Sequence, residues 1–89
     1  MRRFRLSGSF KRDRKRAERR GKDLTAMETV MRRLALGERL EAPFRDHKLK
    51  GEWRDSRECH IEDDWVLIYR IVGDEIHFLH TGTHSDLFE

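Results

Sequence analysis

The chain has 89 residues, 42% of them charged and 36% hydrophobic, with a net charge of +3. That length is read as a single domain, residues 1–89, whose modest core buries roughly 60–65% of the unfolded surface. No apolar run approaches the ~18 residues of a membrane span, the N-terminus lacks the apolar segment of a signal peptide, and the lone Cys59 can form no internal disulfide, so a soluble cytoplasmic protein is expected.

The net charge conceals an asymmetry. Residues 1–22 carry 11 Lys/Arg against two acids, a net of +9, whereas residues 23–89 carry 9 against 15, a net of −6. The basic end suits a polyanion or an acidic protein partner; a solvated helix face is the plainer reading of a charge run.

Arg2 to Leu6 alternates and predicts a short strand. Ser9 offers a hydroxyl cap for a helix over 10–20, which Gly21 ends. Asp23 caps a second helix, whose Leu24, Met27, Val30, Met31, Leu34 and Ala35 form one apolar face up to a stop at Gly37. The two helices make a hairpin. Residues 38–56, broken by Pro43 and Gly51, form a connection without periodicity, although it carries Phe44, His47, Leu49 and Trp53.

Three strands follow. Residues 57–61 alternate, Glu62-Asp63 is a polar turn, 65–72 is apolar at nearly every position, Gly73-Asp74 is a two-residue hairpin turn, and 76–81 completes the set. Consecutive hairpins make these strands antiparallel. A two-residue turn sets Val72 opposite Glu75 and Leu67 opposite His80, and carries Asp63-Asp64 beside Thr83-His84. His60, Asp64, Trp65, His80 and His84 thus converge at one sheet edge.

Imidazoles exchange protons near neutrality, and a carboxylate beside one fixes its tautomer. Trp65 either stacks on a nucleobase, if its ring faces outward, or belongs to the core. With cations for phosphate these are the parts for cleaving RNA: a base takes the 2′-hydroxyl proton, the 2′-oxygen attacks the phosphate, and an acid protonates the leaving 5′-oxygen. His77, out of phase with His80, reads as structural, and Cys59 as a small packed residue. A zinc set of His60, His80, His84 and Asp64 lacks an HxxxH-like pair or a cysteine, so neither metal nor cofactor is expected.

The blocks DHKLKGEW (46–53), RECHIEDDWVLIYRI (57–71) and TGTHSDLF (81–88), in this order behind a basic helical hairpin, resemble the YafQ branch of the RelE/ParE toxin superfamily over essentially the whole chain. The resemblance implies an α+β fold, β-α-α-β-β-β, with a twisted antiparallel sheet and two N-terminal helices on one face. It implies a type II toxin that cuts messenger RNA in the ribosomal A site and is neutralised by a cognate antitoxin, with no membrane involved. The family's functional positions fall on His47, His60, Asp64, Trp65, His84 and Phe88. One departure is His80, where relatives commonly have arginine; phosphate stabilisation there becomes weaker or pH-dependent, and Arg57, Lys48 or Lys50 are the compensating cations. Competing readings are a non-catalytic toxin of the gyrase-inhibiting kind and a basic nucleic-acid-binding module acting through residues 1–22.

Overall fold

The first helix begins where a strand hands over to it. The computed structural model describes residues 1–88. Strand β1 (Arg3–Leu6) ends at Ser7, whose amide donates to the Phe78 carbonyl at 3.1 Å and whose hydroxyl accepts the Phe10 N–H at 2.9 Å. That extended, tethered serine caps α1 (Gly8–Arg19), two residues before the expected Ser9. Gly21 follows at φ +77°, a left-handed conformation that glycine adopts without strain. Asp23 caps α2 (Leu24–Ala35) as expected, accepting the Ala26 N–H at 3.2 Å.

The connection is more ordered than its lack of periodicity suggests. It holds two short 3₁₀ turns (Ala42–Phe44 and Gly51–Trp53) and between them a two-residue strand, β2 (His47–Lys48). Strands β3 (Arg57–Glu62), β4 (Trp65–Val72) and β5 (Glu75–Gly82) follow, then a five-residue helix, α3 (His84–Phe88). The expected α+β fold is present. The five-stranded sheet runs β1-β5-β4-β3-β2 and is mixed, because β1 lies parallel to β5 while the other pairs are antiparallel. The whole helical layer separates β1 from β5 in sequence, so no hairpin turn imposes an antiparallel pairing.

Both helices bury their apolar residues on one sheet face. Phe10 and Ala17 of α1, and Met27, Val30, Met31, Leu34 and Ala35 of α2, share a core with Cys59, Trp65, Leu67, Tyr69, Ile76 and Phe78. Burial and the nearby Asp46 and Glu58 carboxylates push the Cys59 thiol far above its usual range, so it is a packed residue rather than a nucleophile. Among the described residues no helix is long and apolar enough to cross a membrane.

Two bulges distort the hairpins. Tyr69 pairs with Phe78 but Ile68 pairs with His80, which leaves Leu79 unpaired. Leu67 therefore lies opposite Thr81, not His80 as an unbroken register requires. The extra residue also returns His77 and His80 to the same face, two rungs apart. His77 remains structural, its Nε2 3.0 Å from Glu75. A second bulge between His60 and Glu62 sets Trp65 opposite Glu62.

The ring of Phe78 touches both Phe10 and Phe4 at centroid distances of 5.9 and 5.2 Å, yet Phe10 is 0% and Phe4 41% exposed. Phe10→Ala should cost about 3–5 kcal/mol in urea denaturation, a large share of the roughly 5–15 kcal/mol typical of a domain, while Phe4→Ala should cost less than about half as much.

Candidate active site

Alternation along β3 puts Cys59 into the core and turns Glu58 and His60 to the opposite face. The Glu58 side chain is only 5% exposed, yet it is a carboxylate, and each of its oxygens faces an imidazole. His47 Nε2, on the facing strand β2, lies 3.1 Å from Oε2, and His84 Nε2, at the start of α3, lies 2.7 Å from Oε1. His84 Nδ1 is 3.3 Å from Asp64 Oδ1, which also accepts the His84 backbone N–H at 3.2 Å. That backbone N–H, followed by the imidazole, holds the Asp64 carboxyl below its usual range. Both nitrogens of His84 face carboxylate oxygens, so only the doubly protonated ring donates to both.

His60 completes the cluster, its ring centroid 5.4 Å from that of His84. Its Nδ1 is 3.1 Å from the Asp63 carbonyl and 3.1 Å from an Arg45 guanidinium nitrogen. One nitrogen cannot serve both. As a donor to Asp63 it leaves Nε2 bare as a proton acceptor; as an acceptor from Arg45 it carries its proton on Nε2. Arg45 reaches this position from a left-handed conformation, φ +47°, at the end of the first 3₁₀ turn.

Helix α3 is held by the TGTHSD segment itself. Thr83 and Asp86 exchange hydrogen bonds, Thr83 N to Asp86 Oδ2 at 2.9 Å and Asp86 N to Thr83 Oγ1 at 3.0 Å, a capping box. Arg20 of α1 grips Asp86 with two bonds of 2.7 and 3.2 Å and, with the Thr83 N–H next, holds its carboxyl well below the usual range. Gly82 leaves room for this carboxylate, since a Cβ would lie 3.0 Å from Asp86 Oδ2 and press on it.

Of the residues singled out in the sequence, His47, His60, Asp64 and His84 come together. Phe88 joins them, its ring stacked on His84 at 5.8 Å. Trp65 does not. It is 1% exposed and its indole N–H donates to Thr81 Oγ1 at 2.9 Å, so it is a core residue and no stacking surface. His80 stands apart, 3.1 Å from Asp13 of α1, with its ring 5.4 Å from that of Trp53. Arg57 is committed to Asp46 at 3.2 Å. Lys48 and Lys50 are exposed and carry no ion pair among the described residues. Two residues escaped the sequence reading: Glu58, whose place two positions before His60 on an alternating strand was the available signal, and Arg45, for which there was none.

Glu58, His60 and His84 offer ligand atoms within 4.8 Å of one another, a different set from the zinc quartet weighed in the sequence. Two imidazoles and a carboxylate suit zinc or copper.

A helical pair over a mixed sheet, with imidazoles and carboxylates gathered at one sheet end, defines a small α+β protein equipped for proton transfer. The chain belongs to the family described as bacterial toxin of type II toxin–antitoxin system, YafQ, whose model matches residues 2–89. It is 38% identical over 84 residues to the mRNA interferase toxin YafQ of Escherichia coli (strain K12), covering 92% of this chain and 90% of that protein. A copper-bound mutant toxin from Helicobacter pylori superposes with a TM-score of 0.95 at 39% identity, over 99% of this chain and 100% of that one. YafQ in the E. coli DinJ–YafQ toxin–antitoxin complex superposes with a TM-score of 0.90 at 36% identity, over the whole of both chains.

Trp65→Phe keeps the ring in the core and loses its hydrogen bond to Thr81. It should lower stability by about 1–3 kcal/mol in urea denaturation and leave RNA affinity unchanged; weakened RNA binding at unchanged stability would contradict the burial. For Asp86, a depressed folded-state pKa stabilises the fold above the unfolded value of about 3.9, and that contribution fades as pH falls towards the folded value. Asp86→Asn should therefore flatten the acid limb of a stability-versus-pH curve below about pH 5.

Proposed function

We propose that this chain is a type II toxin that cleaves messenger RNA on the ribosome, in the A site, and so blocks translation until a cognate antitoxin neutralises it. The observation that carries the reading is the Glu58 carboxylate shared by His47 and His84, beside His60. A merely inhibitory binding protein, of the gyrase-blocking kind, has no use for three titratable rings around one buried carboxylate. The identity to the E. coli mRNA interferase and the DinJ–YafQ complex support the activity and the antitoxin. Ribosomes make the cytoplasm the place of action.

The side chains suffice for the chemistry. RNA brings its own nucleophile, the 2′-hydroxyl, so the protein supplies a proton acceptor, a proton donor and a cation. We assign His60 as acceptor, with Nδ1–H on the Asp63 carbonyl and Nε2 bare. His84, flanked by Glu58 and Asp64, is the donor to the leaving 5′-oxygen. Asp64, with its lowered affinity for protons, is a poor base and serves to orient His84. Arg45, released by His60 in this tautomer, and His47, half-exposed, face the charge that grows on the phosphorane. Phe88 positions the substrate against His84.

On this reading cleavage needs no metal. A copper or zinc ion held by Glu58, His60 and His84 would occupy the nitrogens that move protons. Expression should arrest growth, and His84→Ala should relieve the arrest and lower cleavage of ribosome-bound message at least about 100-fold, the scale of one general acid. A chelator should leave cleavage unchanged and added copper should inhibit it. Arrest with intact message would refute the reading, as would arrest that survives replacement of His47, His60 and His84 together.

A further inference from the structure

The burial of Trp65 leaves Phe88 as the exposed aromatic ring beside the cluster, and another tryptophan stands next to it. Trp53, on the second 3₁₀ turn, is half-buried and meets Phe88 edge-on at 6.0 Å and His80 edge-on at 5.4 Å. Phe88 stacks on His84, and His84 adjoins His60. Five rings thus run without a break from the proton-transfer groups to a cleft of about 200 Å³ between α1 and the end of β5, walled by Arg12, Arg16, Trp53 and His80. The cleft is smaller than the roughly 300 Å³ at which drug-sized sites begin, and suits a single ring system.

Two carboxylates also line it, and both are compensated. Asp13 receives Arg16 at 3.2 Å, His80 at 3.1 Å and the Thr81 N–H at 3.2 Å, and Asp86 receives Arg20. Arg12 is different. Among the described residues its one partner is the Ser9 hydroxyl at 3.2 Å and it makes no ion pair, which leaves its charge uncompensated beside the cleft. A planar guanidinium in that state matches a phosphate oxygen pair.

We propose that this cleft is a second nucleotide subsite, taking the RNA nucleotide that flanks the scissile phosphate, with its base on Trp53 and its phosphate on Arg12. The inference rests on the nuclease reading above and extends it. An acidic peptide would also be drawn to Arg12, but it has no use for a run of rings leading into the proton-transfer cluster, whereas successive bases do.

The test uses the full chain and a fluorescently labelled RNA hexamer with 2′-O-methyl groups, which binds but cannot be cut. Trp53→Ala should weaken binding about ten-fold or more, and Trp53→Phe, which keeps a ring, by no more than about two-fold. Arg12→Ala removes an exposed side chain and leaves the core intact, so it keeps the test decisive if Trp53→Ala fails to fold. It should weaken binding several-fold and reduce the slope of log affinity against log salt by about 0.7, the value for one phosphate contact on a single strand. Wild-type affinity in both alanine variants would overturn the proposal. So would loss of a polyglutamate peptide with hexamer binding intact, which would mark a protein-docking surface. Cleavage of ribosome-bound message by the wild type is scored separately: no cleavage, with both binding losses as expected, refutes the nuclease reading and leaves the subsite standing.

Discussion

The arrangement of the site follows from one buried charge. Glu58 carries its carboxylate to a buried position on the sheet face away from the core, where an unpaired charge would cost several kcal/mol. Its two oxygens are met by His47 and His84, which come from chain segments on either side of the central hairpins. Neither segment is stable alone. A two-residue strand holds one ladder rung or two, and a five-residue helix is far below the length that persists in water. The hydrogen-bonding contacts to Glu58 tie both to the sheet, α3 with the further hold of the Thr83–Asp86 box and Arg20, and so a structural requirement and a chemical one coincide.

Backbone irregularity sets where the rest of the cluster lies. Bulges interrupt the β3–β4 ladder at the start of β4 and the β4–β5 ladder at its middle. The first, on the β3 side, moves Glu62 opposite Trp65 while Val66 stays opposite His60; Trp65 itself enters the core by alternation with Leu67 and Tyr69 and bonds Thr81 there. The second shifts His80 by one rung, away from the pairing with Leu67 and onto Ile68, where it faces Asp13 and Trp53. Bulges recur beside functional sites because they re-aim a side chain without lengthening a loop. Here the second bulge separates His80, which lies beside Trp53, from His47, His60, Asp64 and His84 around Glu58.

Most of the fold was legible in the sequence, because its signals are local. Asp23 and Gly37 bound α2 through capping geometry that depends on neighbours alone, and the turn at Gly73-Asp74 fixes Val72 opposite Glu75. His60, Asp64 and His84 could be brought together by hairpin arithmetic. What the sequence concealed depends on tertiary context. An acid at an alternating position reads as a solvent-facing residue, so Glu58 passed unnoticed until its burial was seen. A bulge has no signature in the 65–72 and 76–81 patterns, and a left-handed Arg45 has none at all. The strand β2 is too short to show a period, and only the resemblance to known toxins drew His47 into the site.

The charge asymmetry takes on a different meaning once partners are assigned. The +9 of residues 1–22 suggests a uniform surface for a polyanion, yet much of it is engaged. Arg3 and Arg5 pair with Asp74 and Glu75, Arg14 with Glu28, Lys22 with Glu62, and Arg16 and Arg20 with Asp13 and Asp86. The last group bears on chemistry, for Asp86 fixes the start of α3 and thereby the His84 ring. Helix α1 thus works in two ways. One side steadies the start of α3, and with it the His84 ring, through the hold of Arg16 and Arg20 on Asp86. Lys11, Arg12, Lys15 and Arg19, without ion pairs among the described residues, keep the uncommitted charge of the helix. Because both sets share one helix with the Asp13 and Arg12 walls of the cleft, the uncommitted cations and the contacts that fix the start of α3 belong to one element, and a change in the seating of α1 moves both together.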